Sequence, residues 1–238
     1  MLAAYAYLDQ QADYLAPAIH LQHQTCVKCR GTVTQGYTKC YRCKRVYPAC
    51  AFPDALGFGI YAQAGQQSGS VMRRYKGDPP APTHQTIVLA LTMMGIQQAT
   101  QRFKIDVITF VPSLGGRQGP HPLAKIIKKA ASGTPQGSKV RRTLYGKSGV
   151  VSPRDYAPSN FQVRGGDVSG KAVLLIDDTW ASGGHFLSAT GALRQGGAQN
   201  VIGFSLARWL RDGNEYGESD IMETVLGKRE SFKRYSFF

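Results

Sequence analysis

Acidic side chains are scarce in this 238-residue chain: 15 Asp and Glu stand against 29 Lys and Arg, a formal charge of +14. An acidic, self-repelling composition is excluded, and the excess of cations points to anionic ligands, whether phosphorylated small molecules, nucleic acid or acidic lipid. Long apolar runs are lacking too. No stretch approaches the roughly 18 consecutive apolar residues of a membrane-spanning helix. Asp9, Gln10, Gln11 and Asp13 interrupt the N-terminal stretch too early for the apolar core of a signal peptide. These absences give an expected location in the cytoplasm with no membrane partner. Internal repeats and low-complexity tracts are missing, so a single ordinary domain with a small annex is the expectation for this length. Only five cysteines are present, and in a reducing compartment they suit metal binding or burial better than disulfides.

Four of those five are patterned. Cys26-Val27-Lys28-Cys29 and Cys40-Tyr41-Arg42-Cys43 are two Cys-x-x-Cys knuckles with ten residues between them. That spacing lets four thiolates surround one tetrahedral Zn²⁺, and a structural zinc is the expectation. The alternatives are a redox pair, which needs one knuckle and a thioredoxin-like pattern that is absent, and coincidental buried cysteines. Cys50 stands outside the pattern. Lys28, Arg30, Lys39, Arg42, Lys44 and Arg45 crowd the knuckles, with Tyr37, Tyr41 and Tyr47 among them. Such a surface can grip phosphates and stack bases, or the cations can offset the charge that four thiolates leave on zinc. Both readings stand. Pro53, Gly57 and Gly59 mark a boundary, giving a zinc module over 1–55 and a second domain over 56–238.

Further along, residues 1–22 carry a weak helical pattern, and Phe58-Gly59-Ile60-Tyr61 reads as a strand. Gly69 to Lys76 reads as the end of a helix. Thr83 is the expected cap of a long helix through Arg102, with Ile87, Leu91, Met94 and Ile96 on its buried side. Ile105 to Val111 is a strand that ends in Ser113, Leu114, Gly115, Gly116 and Arg117. Loops at the carboxyl ends of parallel strands hold ligands, so glycine N-H groups and the Arg117 fork make this the candidate diphosphate loop. His121 to Lys129 reads as a helix with outward lysines. Between Ala131 and Gly166 the pattern dissolves into a basic, glycine-rich stretch. It is either a mobile lid, closed by Arg141 or Arg142, or an ordinary solvated loop.

The most informative stretch is Val173 to His185. Val173-Leu174-Leu175-Ile176 has four aliphatics without alternation, as in a parallel strand buried on both faces. Asp177 and Asp178 follow, then Thr179-Trp180-Ala181-Ser182-Gly183-Gly184-His185, then a helical pattern over Phe186 to Leu193. Small residues between strand and helix aim backbone N-H groups and the helix dipole at one point, which suits a phosphate. The two carboxylates would repel that phosphate and fit a sugar diol or a metal ion instead. The same letters also allow plain turn and cap chemistry. Val201 to Leu206 is a further buried strand. The tail from Ser231 to Phe238, basic with four aromatics, is either docked or sticky toward a partner.

Asp-Asp-Thr-Trp-Ala-Ser-Gly-Gly-His resembles the phosphoribosyl-diphosphate (PRPP) motif of the type I phosphoribosyltransferases. The order of Cys₄ module, Tyr75-Lys76-Gly77, Val111-Pro112 and Asp-Asp motif resembles their ComF-type competence branch. The resemblance implies an α/β fold, a mostly parallel sheet flanked by helices with a small N-terminal zinc-ribbon-like module. It implies catalytic Asp177 and Asp178 on the ribose hydroxyls. Thr179, Ala181, Ser182, Gly183, Gly184 and His185 would hold the 5′-phosphate, with Lys76 near the diphosphate and Mg²⁺ bound alongside PRPP. The implied reaction is transfer of phosphoribosyl to a nitrogen nucleophile such as a nucleobase, with release of diphosphate. The alternative is a non-catalytic PRPP-binding accessory of DNA uptake or recombination, with single- or double-stranded DNA and a helicase-type protein as partners.

Overall fold

The structure, a computed structural model, describes all residues except 1, 35, 115–119, 151, 153, 165–166, 211–217 and 229–230. Its centre is a four-stranded sheet in which every pairing is parallel, built from β1 (Ala55–Gln63), β2 (Val107–Phe110), β5 (Ala172–Trp180) and β6 (Asn200–Leu210) in the order β1-β6-β5-β2. A second sheet is the short antiparallel pair β3 (Leu144–Gly146) and β4 (Phe161–Val163). The helices are α1 (Leu2–Asp9), α2 (Gln67–Arg74), α3 (Pro82–Arg102), α4 (Pro122–Ala131), α5 (Gly184–Gln195) and α6 (Glu218–Gly227). None of the described helices is long and apolar enough to cross a membrane.

The sheet is buried on both faces, which is why its strands read as unbroken aliphatic runs. Along β5 the pleat sends Leu174 and Ile176 into one core with α3 and α4, and Val173 and Leu175 into another with α5 and the cysteine segment. α3 buries Ile87, Leu91, Met94 and Ile96 as its spacing predicts. Its start differs from expectation: Ala81 precedes the first turn, Pro82 opens it, and Thr83 is not the cap. Proline has the required φ already fixed and has no N-H to satisfy at that position.

Three further differences bear on the site. β5 does not stop before the acids but runs on through Trp180, because β6 is long enough to pair with it to the level of Trp180 and Arg208. Trp180 thereby becomes a core residue, with ring centroids 5.5 Å from Phe58 and 5.3 Å from Phe186. Second, the stretch from 131 to 166 is not patternless. Beyond β3 and β4, Val140 bridges to Ile108, the Arg141 N-H donates to the Ile108 carbonyl at 2.9 Å, and Thr143 Oγ1 donates to Thr109 Oγ1 at 3.0 Å. Third, the C-terminal aromatic tail is docked. Phe232 and Phe237 are buried, and Asp9 accepts from Ser231 Oγ at 2.6 Å and from the Phe232 N-H at 2.7 Å.

Candidate functional site

Both acids lie at the carboxyl end of β5, between its neighbours β2 and β6. Asp177 is buried, and its Oδ1 accepts the Asp178 N-H at 2.9 Å. Burial pushes its carboxyl well above the ordinary carboxylate range, the charge of Asp178 adds to the rise, and the Asp178 N-H and Lys76 oppose it. Asp178 is half-buried and held from α2's end, where its Oδ2 accepts from Tyr75 Oη at 2.8 Å and from Lys76 Nζ at 2.6 Å. Two adjacent carboxylates thus sit in different environments, one pressed toward neutrality and one ion-paired. Together they offer donor and acceptor positions to a vicinal diol.

Thr179 is half-buried on the strand, and the chain then turns through exposed Ala181 and half-buried Ser182 into Gly183. Gly183 has φ +96°, the left-handed conformation that glycine adopts without steric cost, and it precedes the first turn of α5. Gly184 is needed for another reason: a Cβ there would collide with the Arg154 carbonyl, which packs directly on the turn. The first N-H groups of α5 have no partner within the helix and carry its positive dipole end, so the turn can take an anion. His185 stands in the first turn of α5. Its Nε2 lies 3.1 Å from the Pro112 carbonyl and its ring 5.1 Å from Phe161, so the imidazole ties the β2 loop to α5.

On the β2 side, Ser113 is exposed with Oγ 3.1 Å from His121 Nε2, and Leu114 is half-buried. Gly115, Gly116 and Arg117 lie outside the described residues. Arg141 and Arg142 are exposed, and the Arg142 guanidinium stacks on Tyr145 at 4.5 Å. Both line a cavity of about 470 Å³ with Pro112, Ser113, Lys125 and Lys128. The structure therefore brings Asp177, Asp178, Lys76 and the 181–184 turn together, and sets Arg141 and Arg142 beside Ser113 on the far side of β2.

Cys26, Cys29, Cys40 and Cys43 converge, with all four Sγ atoms within 4.8 Å of one another. Cys29 Sγ and Cys40 Sγ are 3.7 Å apart, which suits a tetrahedron with metal–sulfur bonds of about 2.3 Å, whose edge is about 3.8 Å. Three of the four are buried and Cys40 is half-buried, while Cys50 is exposed and outside the group. Hydrogen bonding from Cys29, Cys40 and Cys43 pulls the Cys26 thiol well below its usual range, and sharing with Cys26, Cys29 and Cys40 pushes Cys43 up. The donor set is that of a structural zinc site, and four cysteines this close together can hold such a metal.

Sequence reasoning missed the roles of three polar residues. Tyr75 holds Asp178. Tyr47 donates its hydroxyl to the Ser182 carbonyl at 2.9 Å. Arg208, buried on β6, donates Nε to the Cys29 carbonyl at 2.8 Å and Nη1 to the Trp180 and Ala181 carbonyls at 3.4 and 3.3 Å. An arginine inside the apolar run Leu206 to Leu210 was the available signal, since a buried cation is kept only where it has partners.

No protein-family description matches the chain, and no curated protein matches it. Among solved structures it is similar to an allosteric regulatory enzyme of purine biosynthesis, with 21% identity and a TM-score of 0.33 over 50% of this chain and 26% of that one. It is similar to a phosphoribosyltransferase from Corynebacterium diphtheriae, with 17% identity and a TM-score of 0.35 over 63% of this chain and 94% of that one. A third likeness is to UMP synthase from Leishmania donovani, with 18% identity and a TM-score of 0.31 over 60% of this chain and 33% of that one. The chain thus spans about a quarter of the first of these proteins and a third of the last.

Proposed function

We propose that this protein binds PRPP and transfers its phosphoribosyl group to a nitrogen nucleophile such as a nucleobase, releasing diphosphate. The observation that carries the proposal is the end of β5, where a carboxylate held by Tyr75 and Lys76 stands beside a left-handed glycine turn opening a helix. A diol and a phosphate separated by one ribose fit that juxtaposition. In this reading Asp177 and Asp178 hold the ribose hydroxyls. Thr179 and the turn from Ala181 to His185 hold the 5′-phosphate, with His185 contributing backbone. Ser113, Leu114, Gly115, Gly116 and Arg117 take the diphosphate, with Lys76, Arg141 and Arg142 as further cations. Residues 1–55 form the metal module and 56–238 the transferase-like domain.

The carboxylate oxygens at this strand end are hard donors of the kind Mg²⁺ takes, and Asp177 and Asp178 would hold it alongside PRPP. Bound there, Mg²⁺ would neutralise charge on the departing diphosphate. The chain's own part is positioning: carboxylates orient the ribose, helix N-H groups fix the phosphate, and cations stabilise the leaving group. Calorimetric titration with PRPP and Mg²⁺, followed by diphosphate release across a panel of bases, tests the proposal. Replacing both acids, Asp177→Asn with Asp178→Asn, is expected to lower PRPP affinity at least a hundredfold with the circular dichroism unchanged. Unaltered affinity in the folded double variant would remove the proposal.

A second reading, a non-catalytic PRPP-binding accessory of DNA uptake or recombination, rests on the metal module's surface. Exposed Tyr37 and Tyr41 there stand among Lys39, Lys44 and Arg45. PRPP binding with no diphosphate release for any base would favour it.

A further inference from the structure

We propose that Arg208 is a positioning residue that couples the four-cysteine metal centre to the phosphate turn, so that metal occupancy and PRPP binding strengthen each other. The inference rests on the PRPP reading above and adds a relation between two sites that the reading treats separately.

Three successive carbonyls, those of Trp180, Ala181 and Ser182, lead into Gly183 and the first turn of α5. All three are held from the metal module's side. Arg208 takes the first two with Nη1, which also donates to the Trp209 carbonyl, while its Nε donates to the Cys29 carbonyl at 2.8 Å. Tyr47, buried and four residues beyond Cys43, takes the third at 2.9 Å. One link therefore runs from each Cys-x-x-Cys knuckle. The fork fits tightly, because a Cβ on Gly31 would overlap the Arg208 guanidinium.

Metal binding fixes the knuckle turns, since four thiolates must face one point. A fixed first knuckle sets the Cys29 carbonyl and so the guanidinium plane; a fixed second knuckle sets Tyr47. The carbonyl orientation at 180–182 in turn sets where the next N-H groups point. A cavity of about 660 Å³ lies between the two sites, lined by Cys29, Cys40, Cys43, Trp180, Ser182 and Arg208. Each ligand thus favours the same arrangement of one shared element, and that is the requirement for coupling between distinct sites.

Coupling of this kind is reciprocal: whatever factor zinc adds to PRPP affinity, PRPP must add to zinc affinity. The test measures zinc transfer from the loaded protein to a chromogenic chelator at rising PRPP and Mg²⁺, and PRPP titration in loaded and metal-stripped protein. PRPP is expected to tighten zinc about fivefold or more, within the usual range for coupled sites. Arg208→Gln should bring that factor close to one while retaining one zinc per chain. Arg208→Lys, which keeps the charge without the fork, should restore only part of it, and Tyr47→Phe should lower it while leaving the fold intact. If stripping or Arg208→Gln unfolds the chain, chelator transfer from loaded wild-type, Arg208→Lys and Tyr47→Phe protein decides. A protein that binds both ligands with no mutual effect overturns the coupling alone, as does a Tyr47→Phe and Arg208→Lys pair with wild-type coupling. Failure to bind PRPP at any zinc load instead overturns the reading of the site.

Discussion

Asp177 bears on stability and function in opposite directions. Its folded-state pKa is raised by burial and then by Asp178. Below the unfolded value, about 3.9, the carboxyl is protonated in both states and its burial costs nothing electrostatic. As pH rises from there toward the raised folded value, the unfolded chain loses its proton first, and stability falls. Asp177→Asn is therefore expected to stabilise the ligand-free protein at pH 7 by on the order of 1 kcal/mol, a gain typical of relieved functional sites, and to leave it unchanged near pH 3.5. Thermal denaturation at the two pH values checks this; equal effects at both would mean that desolvation of the carboxylate is not the cause. At this scale the sequence was legible where chemistry is contiguous. The acids, the glycine turn and the cysteine knuckles each lie within a few residues. Tyr75 and Tyr47 were named without these roles and Arg208 was given none, because their partners lie 103, 135 and 179 residues away. No local pattern carries such a pairing.

Elements were legible in proportion to their periodicity. α3 and α5 bury residues at helical spacing, and β5 is a run of aliphatics, so hydrophobic pattern alone located them. β3 and β4 were missed because each has three residues, too few to alternate, and their order comes from the sheet edge rather than from their own sequence. This narrows the expectation of a lid. The Arg141 amide is bonded to Ile108, and on the other side Ser188 Oγ accepts the Ala157 N-H at 2.8 Å. Backbone amides at 141, 145, 147 and 157 are thus expected to exchange slowly in the absence of PRPP, by tenfold or more relative to Gly149. Hydrogen exchange resolved by peptide or residue checks this. Fast exchange at Arg141 that slows only on adding PRPP would restore the lid in its original extent.

For the molecule as a whole, composition indicated only a preference for anions, and the arrangement of its layers came from tertiary pairing. The cysteine segment, for example, shares one hydrophobic core with Trp180, Phe186 and the outer residues of β5. The same long-range packing finishes the two outer strands. On β1, the Phe58 N-H donates to the Phe237 carbonyl at 3.0 Å, Gly59 accepts from Ala18 at 3.0 Å, and the Tyr61 N-H donates to Ala16 at 2.7 Å. On β2, Arg141 occupies the Ile108 carbonyl. An unoccupied outer strand is a template for another copy of the same chain, and proteins with such strands aggregate unless the edge is covered. Here both borders are covered by stretches distant in the sequence, so resistance to fibre-like self-association depends on the N-terminal stretch and the C-terminal tail as well as on the Arg141 segment. Removing residues 231–238 is expected to leave the far-UV spectrum near that of the full chain while light scattering on warming begins several degrees earlier. The truncated protein would then present to other copies the Phe58 amide of β1 and the apolar surface that Phe232 and Phe237 cover in the intact molecule.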